Sequence, residues 1–150
     1  MGEDILVNRR AYHDYHVVET LEAGIQLRGP EVKSLRLGRG NVAGSFARVE
    51  DGEAWLYHMD IQPYQNQPDP SFDPKAKRKL LLHKAEIRRL EGKLSIRGRT
   101  LIPLKLYWKN RKIKVLLGLA EGKSKGDKRE ALKEREAQKE IARALRRRRN

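Results

Sequence analysis

The chain has 150 residues, no cysteine and a formal net charge of +14; that length suits one compact domain with an extension and needs no covalent staple. Without cysteine, disulfides, zinc-thiolate sites and a thiol nucleophile are excluded. The sequence carries neither a signal-peptide pattern nor an apolar run of membrane-spanning length, so a soluble, cytoplasmic protein is expected.

Charge placement says more than its total. Residues 1–74 carry a net −5 and residues 75–150 a net +19. Such asymmetry is the footprint of a polyphosphate ligand, because each neutralised phosphate releases condensed counterions. An anionic membrane surface fits less well, since no basic stretch is joined to a broad apolar face with aromatic anchors.

In chain order, "DYHVVET" and "GIQLR" flank "LEAG", which predicts a hairpin of Tyr15 to Thr20 with Ile25 to Arg28, turned at Gly24. "GPEVKSLRLGRG" then changes period. Val32, Leu35 and Leu37, with Pro30 at entry and Gly38 at exit, predict a short helix. Phe46 to Glu50 and Glu53 to Ile61 predict a hairpin across Asp51-Gly52. Residues 62–74 hold four prolines without periodicity and predict a mobile, exposed loop.

Beyond the loop, Leu80 to Leu82 read as a short extended piece and Lys84 to Glu91 as a helix, with His83 in the N-cap position. "TLIPLKLYW" and "KIKVLLGLA" are strand-like, and Pro103 makes the first an edge or bulged strand. About six strands in hairpins with two or three flanking α-helices predict a mainly β fold, a small closed antiparallel barrel of the oligonucleotide-binding (OB-like) type over residues 1–122. Residues 123–150 form a basic tail. Its stretch 127–150 has ten Lys/Arg against five Asp/Glu, and Ala137, Ile141, Ala144 and Leu145 give only a thin apolar strip. Three pairs such as Glu136 with Lys139 add about 1 kcal/mol together, so the tail is expected to be disordered or conditionally helical.

No catalytic or metal constellation stands out. His13 and His16 would face opposite sides of an extended segment, and no further spacing completes a metal site. His13 beside Asp14 could serve acid–base cleavage of RNA, but such a site needs a second base or a cationic stabiliser held opposite, so catalysis is not expected. No cofactor is expected. Phe46, Trp55, Tyr57, Tyr107 and Trp108 fall in predicted strands and are assigned to core packing ahead of base stacking. Three basic sets, Lys75 to Lys79, Lys109 to Lys114 and the tail, are placed to reach phosphates.

Five strings, "NRRAYHDY", "EAGIQLRGPEVKSLRLGRGNV", "KRKLLLHKAEIRRLEGK", "LIPLKLYWKNRKIKV" and "GLAEGKSKGDKREALKERE", resemble in order and spacing the tmRNA-binding small protein B family, SmpB. The resemblance implies an RNA-binding adaptor and not an enzyme. It would bind the tRNA-like domain of tmRNA (SsrA RNA) and carry it to stalled ribosomes for trans-translation, with elongation factor Tu engaged indirectly through tmRNA. Its contacts on the ribosome would be mainly with the small subunit and rRNA, and a monomer is expected. By the same resemblance, RNA contacts fall on Glu22, Lys33, Arg36, Asn41, Lys79, Leu81 and Lys114. Contacts to the decoding centre and mRNA channel fall on His13, Lys123, Asp127, Lys128, Arg129, Lys133 and Arg135. The chain departs from the pattern at Gly126, where relatives commonly carry Tyr or His. A structural ribosomal protein, another small RNA-binding protein and a ribonuclease using His13 and Asp14 remain the alternative readings.

Overall fold

The computed structural model describes residues 3–66, 69–123 and 125–149, the side chains of 125–132, 134 and 147–149 excepted. The chain runs β1 (Asp4–Val7), α1 (Ala11–Asp14), β2 (Tyr15–Ile25), α2 (Gly29–Arg36), β3 (Gly40–Asn41), β4 (Phe46–Glu50) and β5 (Glu53–Tyr57). It continues through β6 (Asp60–Ile61), β7 (Arg78–Leu81), α3 (Lys84–Leu94), β8 (Arg99–Lys109), β9 (Lys112–Gly122) and α4 (Lys125–Arg149). The fold is mainly β, and its strand pairs are antiparallel. Pairing runs β8, β4, β5, β7, β2, β9 and returns to β8, with β1 added on β8.

Strand alternation builds the core. Ala47, Ala54, Leu56, Leu80, Leu101, Val115 and Leu117 point inward and are buried, as the two-residue period of a half-buried sheet requires. A bulge between Pro103 and Lys105 in the β8–β9 register reverses the parity of β8, so Leu101 and Leu106 both face the main core. On the other face Ile102, Leu104 and Ala120 form a small second cluster with Ala11 of α1. Tight turns close the two long hairpins, and both central residues of each have positive φ, Asp51 and Gly52 in one, Asn110 and Arg111 in the other.

Several sequence expectations need correction. Residues Tyr15–Ile25 form one strand with a bulge between Val17 and Glu19, and no hairpin turns at Gly24. A Cβ on Gly24 would lie 3.1 Å from the Leu81 Cβ, so this glycine serves close approach of β7 and not reversal of the chain. Strand β5 stops at Tyr57, because His58 takes φ +66° and breaks the pairing before β6. The extended piece is Arg78–Leu81, and α3 runs three residues past the expected Glu91. The proline-rich loop is exposed over most of its described residues, as expected, and is held at three points: Arg28 Nη2 donates to Asp69 Oδ2 at 2.8 Å, Ile61 N to the Pro74 carbonyl at 2.9 Å, and Phe72 packs against the core. The strand β1 was invisible in the sequence pattern.

The helix starts follow local chemistry. Pro30 sits in the first turn of α2, and the Arg28 amide donates to Glu31 Oε1 at 2.9 Å; His83 N donates to Glu86 Oε1 at 3.1 Å at the head of α3. Helix α4 begins beside α1. Its described apolar residues Ile141 and Leu145 are exposed, as expected for a segment with no face wide enough for a core.

Candidate nucleic-acid interface

Near the end of β2, strands β2, β7 and β9 meet, with Gly24 opposite both Leu81 and Lys114. The result is a groove of about 950 Å³ whose lining includes Glu22, Lys79, Leu81, Lys84, Lys112 and Lys114. Four of the seven expected RNA contacts, Glu22, Lys79, Leu81 and Lys114, therefore share one concavity. Leu81 is 52% exposed, an apolar surface in a cationic setting that a base or ribose face could cover. Lys79 pairs with Glu53 at 3.1 Å. The first turn of α3, with Lys84, contributes to the rim.

Among the described acidic residues that line the groove, Glu22 is the one bonded by two other side chains. The Tyr107 hydroxyl donates to its Oε2 at 2.5 Å, and Lys109 Nζ reaches Oε1 at 3.3 Å and Oε2 at 3.2 Å. The Tyr107 hydrogen bond, followed by the Lys109 bond and charge and the Lys114 charge, holds the Glu22 carboxyl below the usual glutamate range against an opposing effect of burial. Burial and then Glu22 push the Tyr107 phenol up. Sequence reading missed Tyr107, Lys109, Arg111 and Lys112 as individual contributors; all four are concentrated around the β8–β9 turn.

Lys33, Arg36 and Asn41 do not line this groove. Lys33 lies over the Tyr64 ring at 5.6 Å and Arg36 over Trp108 at 5.5 Å. Trp108 itself borders the groove, so Arg36 meets its rim through that indole. Asn41 Oδ1 accepts from the Ala43 amide at 2.8 Å, which turns the chain out of β3.

The basic set Lys75 to Lys79 divides. Arg78 is 3% exposed; its guanidinium donates to Glu31 Oε2 at 2.5 Å, the Met59 carbonyl at 2.6 Å and the Pro74 carbonyl at 3.0 Å. It is a structural residue and reaches no phosphate. The aromatic residues divide: Tyr107 is buried and Trp108 packs half-buried against the core, as expected, whereas Phe46, Trp55 and Tyr57 depart from that expectation. Phe46 and Tyr57 stack across β4 and β5 at 5.5 Å on the outer face, with Arg48 over both rings, and Lys77 covers Trp55 at 4.4 Å.

At the opposite end of the β2–β9 ladder, where Tyr15 pairs with Gly122, lies the second set of expected contacts. His13 Nδ1 is 2.8 Å from Asp14 Oδ1. Lys123 donates through Nζ to the Tyr12 carbonyl at 2.9 Å and through its amide to the Asp14 carbonyl at 3.0 Å. These bonds fasten the root of α4 to α1. Lys133 and Arg135 are exposed along α4; the side chains of Asp127, Lys128 and Arg129 lie outside the described residues. Among the described residues no group of three or more His, Asp or Glu could hold a metal ion, and no helix is long and apolar enough to cross a membrane.

The comparisons agree with one another. A family model described as SmpB protein matches residues 5–147. A protein named SsrA-binding protein from Carboxydothermus hydrogenoformans is 56% identical over 146 residues, covering 97% of this chain and 98% of that protein. One of the same name from Caldicellulosiruptor saccharolyticus is 55% identical over 141 residues, covering 94% and 89%. A solved structure described as "tmRNA-SmpB: a journey to the center of the bacterial ribosome" overlays with a TM-score of 0.69 at 54% identity, covering 86% of this chain and 94% of that one.

Proposed function

This chain belongs to the SmpB protein family, and from that premise we propose how it works. It binds tmRNA and serves as its adaptor on the ribosome in trans-translation. The ring of strand pairings is a closed OB-like barrel, residues 1–122, that grips the tRNA-like domain in the groove of Glu22, Lys79, Leu81 and Lys114. Lys33, Arg36 and Asn41 extend that contact along α2 and β3. The tail, residues 123–150, is a separate element. Its Lys123, Asp127, Lys128, Arg129, Lys133 and Arg135, together with His13, meet the decoding centre and the empty mRNA channel of the small subunit. The protein acts as a monomer in the cytoplasm, without catalysis, and elongation factor Tu joins through tmRNA.

The observation that supports this reading is the convergence of Glu22, Lys79, Leu81 and Lys114 on one groove, far from the root of the tail. A folded RNA is held there by backbone shape, with phosphates set against lysines and sugar edges against Leu81, and not by base sequence. Lys114→Glu is expected to weaken binding of the tRNA-like domain by roughly tenfold or more, since it both removes a phosphate partner and adds a repulsive charge. Truncation after Gly122 is expected to leave that affinity nearly whole and to abolish tagging on stalled ribosomes. A truncated protein that no longer bound the RNA would overturn the division of labour.

A further inference from the structure

A carboxylate in a polyanion-binding groove needs a reason. Lys79, Lys84, Arg111, Lys112 and Lys114 border the groove, yet Glu22 would repel any phosphate placed against it. Its surroundings do not neutralise it by protonation; they hold it ionised. Tyr107 is 3% exposed and is anchored in β8, so its phenol cannot follow a swinging partner. That hydroxyl fixes one carboxylate oxygen at 2.5 Å, and Lys109 bridges both. Each carboxylate oxygen has two lone-pair directions, so the set leaves acceptor capacity facing the groove.

The geometry points to Tyr107 as a positioning residue: with Lys109 it fixes the Glu22 carboxylate as an acceptor for a hydrogen-bond donor of the RNA, a ribose 2′-hydroxyl or a base amine, at a point where phosphate is refused. This deepens the proposed function and rests on the groove being the RNA surface. The consequence is register. Phosphates can lie along the lysines only where a donor falls opposite Glu22, so a polyanion without a correctly placed donor binds less well than its charge allows. The same pair also keeps Glu22 charged as the pH falls, because loss of the phenol removes the largest influence lowering its pKa.

The test measures affinity of the full-length protein for the tRNA-like domain, as wild type, Tyr107→Phe, Glu22→Gln and the double variant, between about pH 4 and pH 7. Tyr107→Phe is expected to lose roughly tenfold in affinity at neutral pH, as for one charged hydrogen bond. It should add nothing to Glu22→Gln and should move the acid-side loss of binding to higher pH. The other titratable groups facing Glu22 or the groove, Lys79, His83, Lys84, Glu53, Glu86, Lys109, Arg111, Lys112 and Lys114, are common to the four proteins, so their effects cancel. RNA with 2′-deoxy substitutions identifies the donor: loss of affinity in wild type but not in Glu22→Gln assigns a ribose hydroxyl, and unchanged affinity assigns a base amine. Additive losses, or an unshifted acid limb in Tyr107→Phe, would overturn the positioning role. If Lys114→Glu weakens binding while Glu22→Gln does not, the groove reading stands and this inference alone fails. If neither variant weakens binding, the groove itself is wrong.

Discussion

The two ends of the β2–β9 ladder are built from the same paired strands and are finished differently. Glu22 to Gly24 and Tyr15 lie up to nine residues apart along β2, about 30 Å at ~3.3 Å per residue. At the first end, side chains from β2, β7, β8 and β9 converge around a concavity, and their polar atoms are bound to one another, Glu22 to Tyr107 and Lys109, Lys79 to Glu53. At the second end there is a joint in place of a pocket, where Lys123 donates to backbone carbonyls of α1 and so sets where α4 departs. One ladder thus carries a groove at one end and the attachment of α4 at the other, the two features to which the proposed function gives separate roles. The difference teaches that recognition needs fixed side chains, whereas aiming a long helix needs only fixed backbone.

The largest effect that bears on this contrast comes from β7, which supplies both a strut, Arg78, and a proposed contact, Lys79. Arg78→Ala leaves the buried Glu31 carboxylate without its ion-pair partner, and a loss of about 3–5 kcal/mol in folding stability is expected, read from the urea midpoint. Its neighbour Lys79 faces outward, so Lys79→Ala is expected to change stability by no more than about 0.5 kcal/mol and to weaken RNA binding instead. Equal stability losses for the two would break the assignment of strut and contact. A smaller effect tests the other end. Lys123→Ala removes the Nζ bond to Tyr12 and is expected to lower tagging on stalled ribosomes roughly threefold, with affinity for the tRNA-like domain unchanged. Parallel losses in both assays would mean that the ends do not act separately.

Much of this was legible because local chemistry and packing agreed. Asp51-Gly52 marks a hairpin since both positions need positive φ, and the apolar pattern of the long β8–β9 hairpin is strong on either side of its turn. Gly24 misled because a glycine can serve a turn or a close contact, and only the position of Leu81 decides which. The inward turn of Arg78 had a signal that went unread: in "RKLL" the strand period places Arg78 with Leu80 on the core face and Lys79 with Leu81 outside. Phe46, Trp55 and Tyr57 alternate with Ala47, Ala54 and Leu56 in the same way and so face out. The family resemblance supplied the candidate site residue by residue, and four of its seven expected RNA contacts share the groove, but the bond from Tyr107 to Glu22 spans 85 positions and no spacing rule reaches that far.

The smallest expected effect falls at the middle of the ladder and asks whether its ends communicate. Glu19 lies beside the β2 bulge and is bonded by Lys93 of α3, with Arg89 at 3.4 Å. The Lys93 hydrogen bond, then the charges of Arg89, Lys93 and Arg99, lower its pKa against burial. A depressed carboxyl pKa contributes stability that is fully present above the unfolded value and is lost as pH falls through the folded value. Glu19→Gln is therefore expected to cost only ~0.5 kcal/mol at neutral pH, because the pair is partly screened by solvent. The difference should vanish in acid, where the wild-type carboxyl is protonated too. RNA affinity and tagging should both stay at wild-type values, since a packed strand that loses one surface tie keeps its register through the β9 ladder. A change in either assay would show that strain at the bulge passes along β2, and the two ends would then be coupled parts of one device.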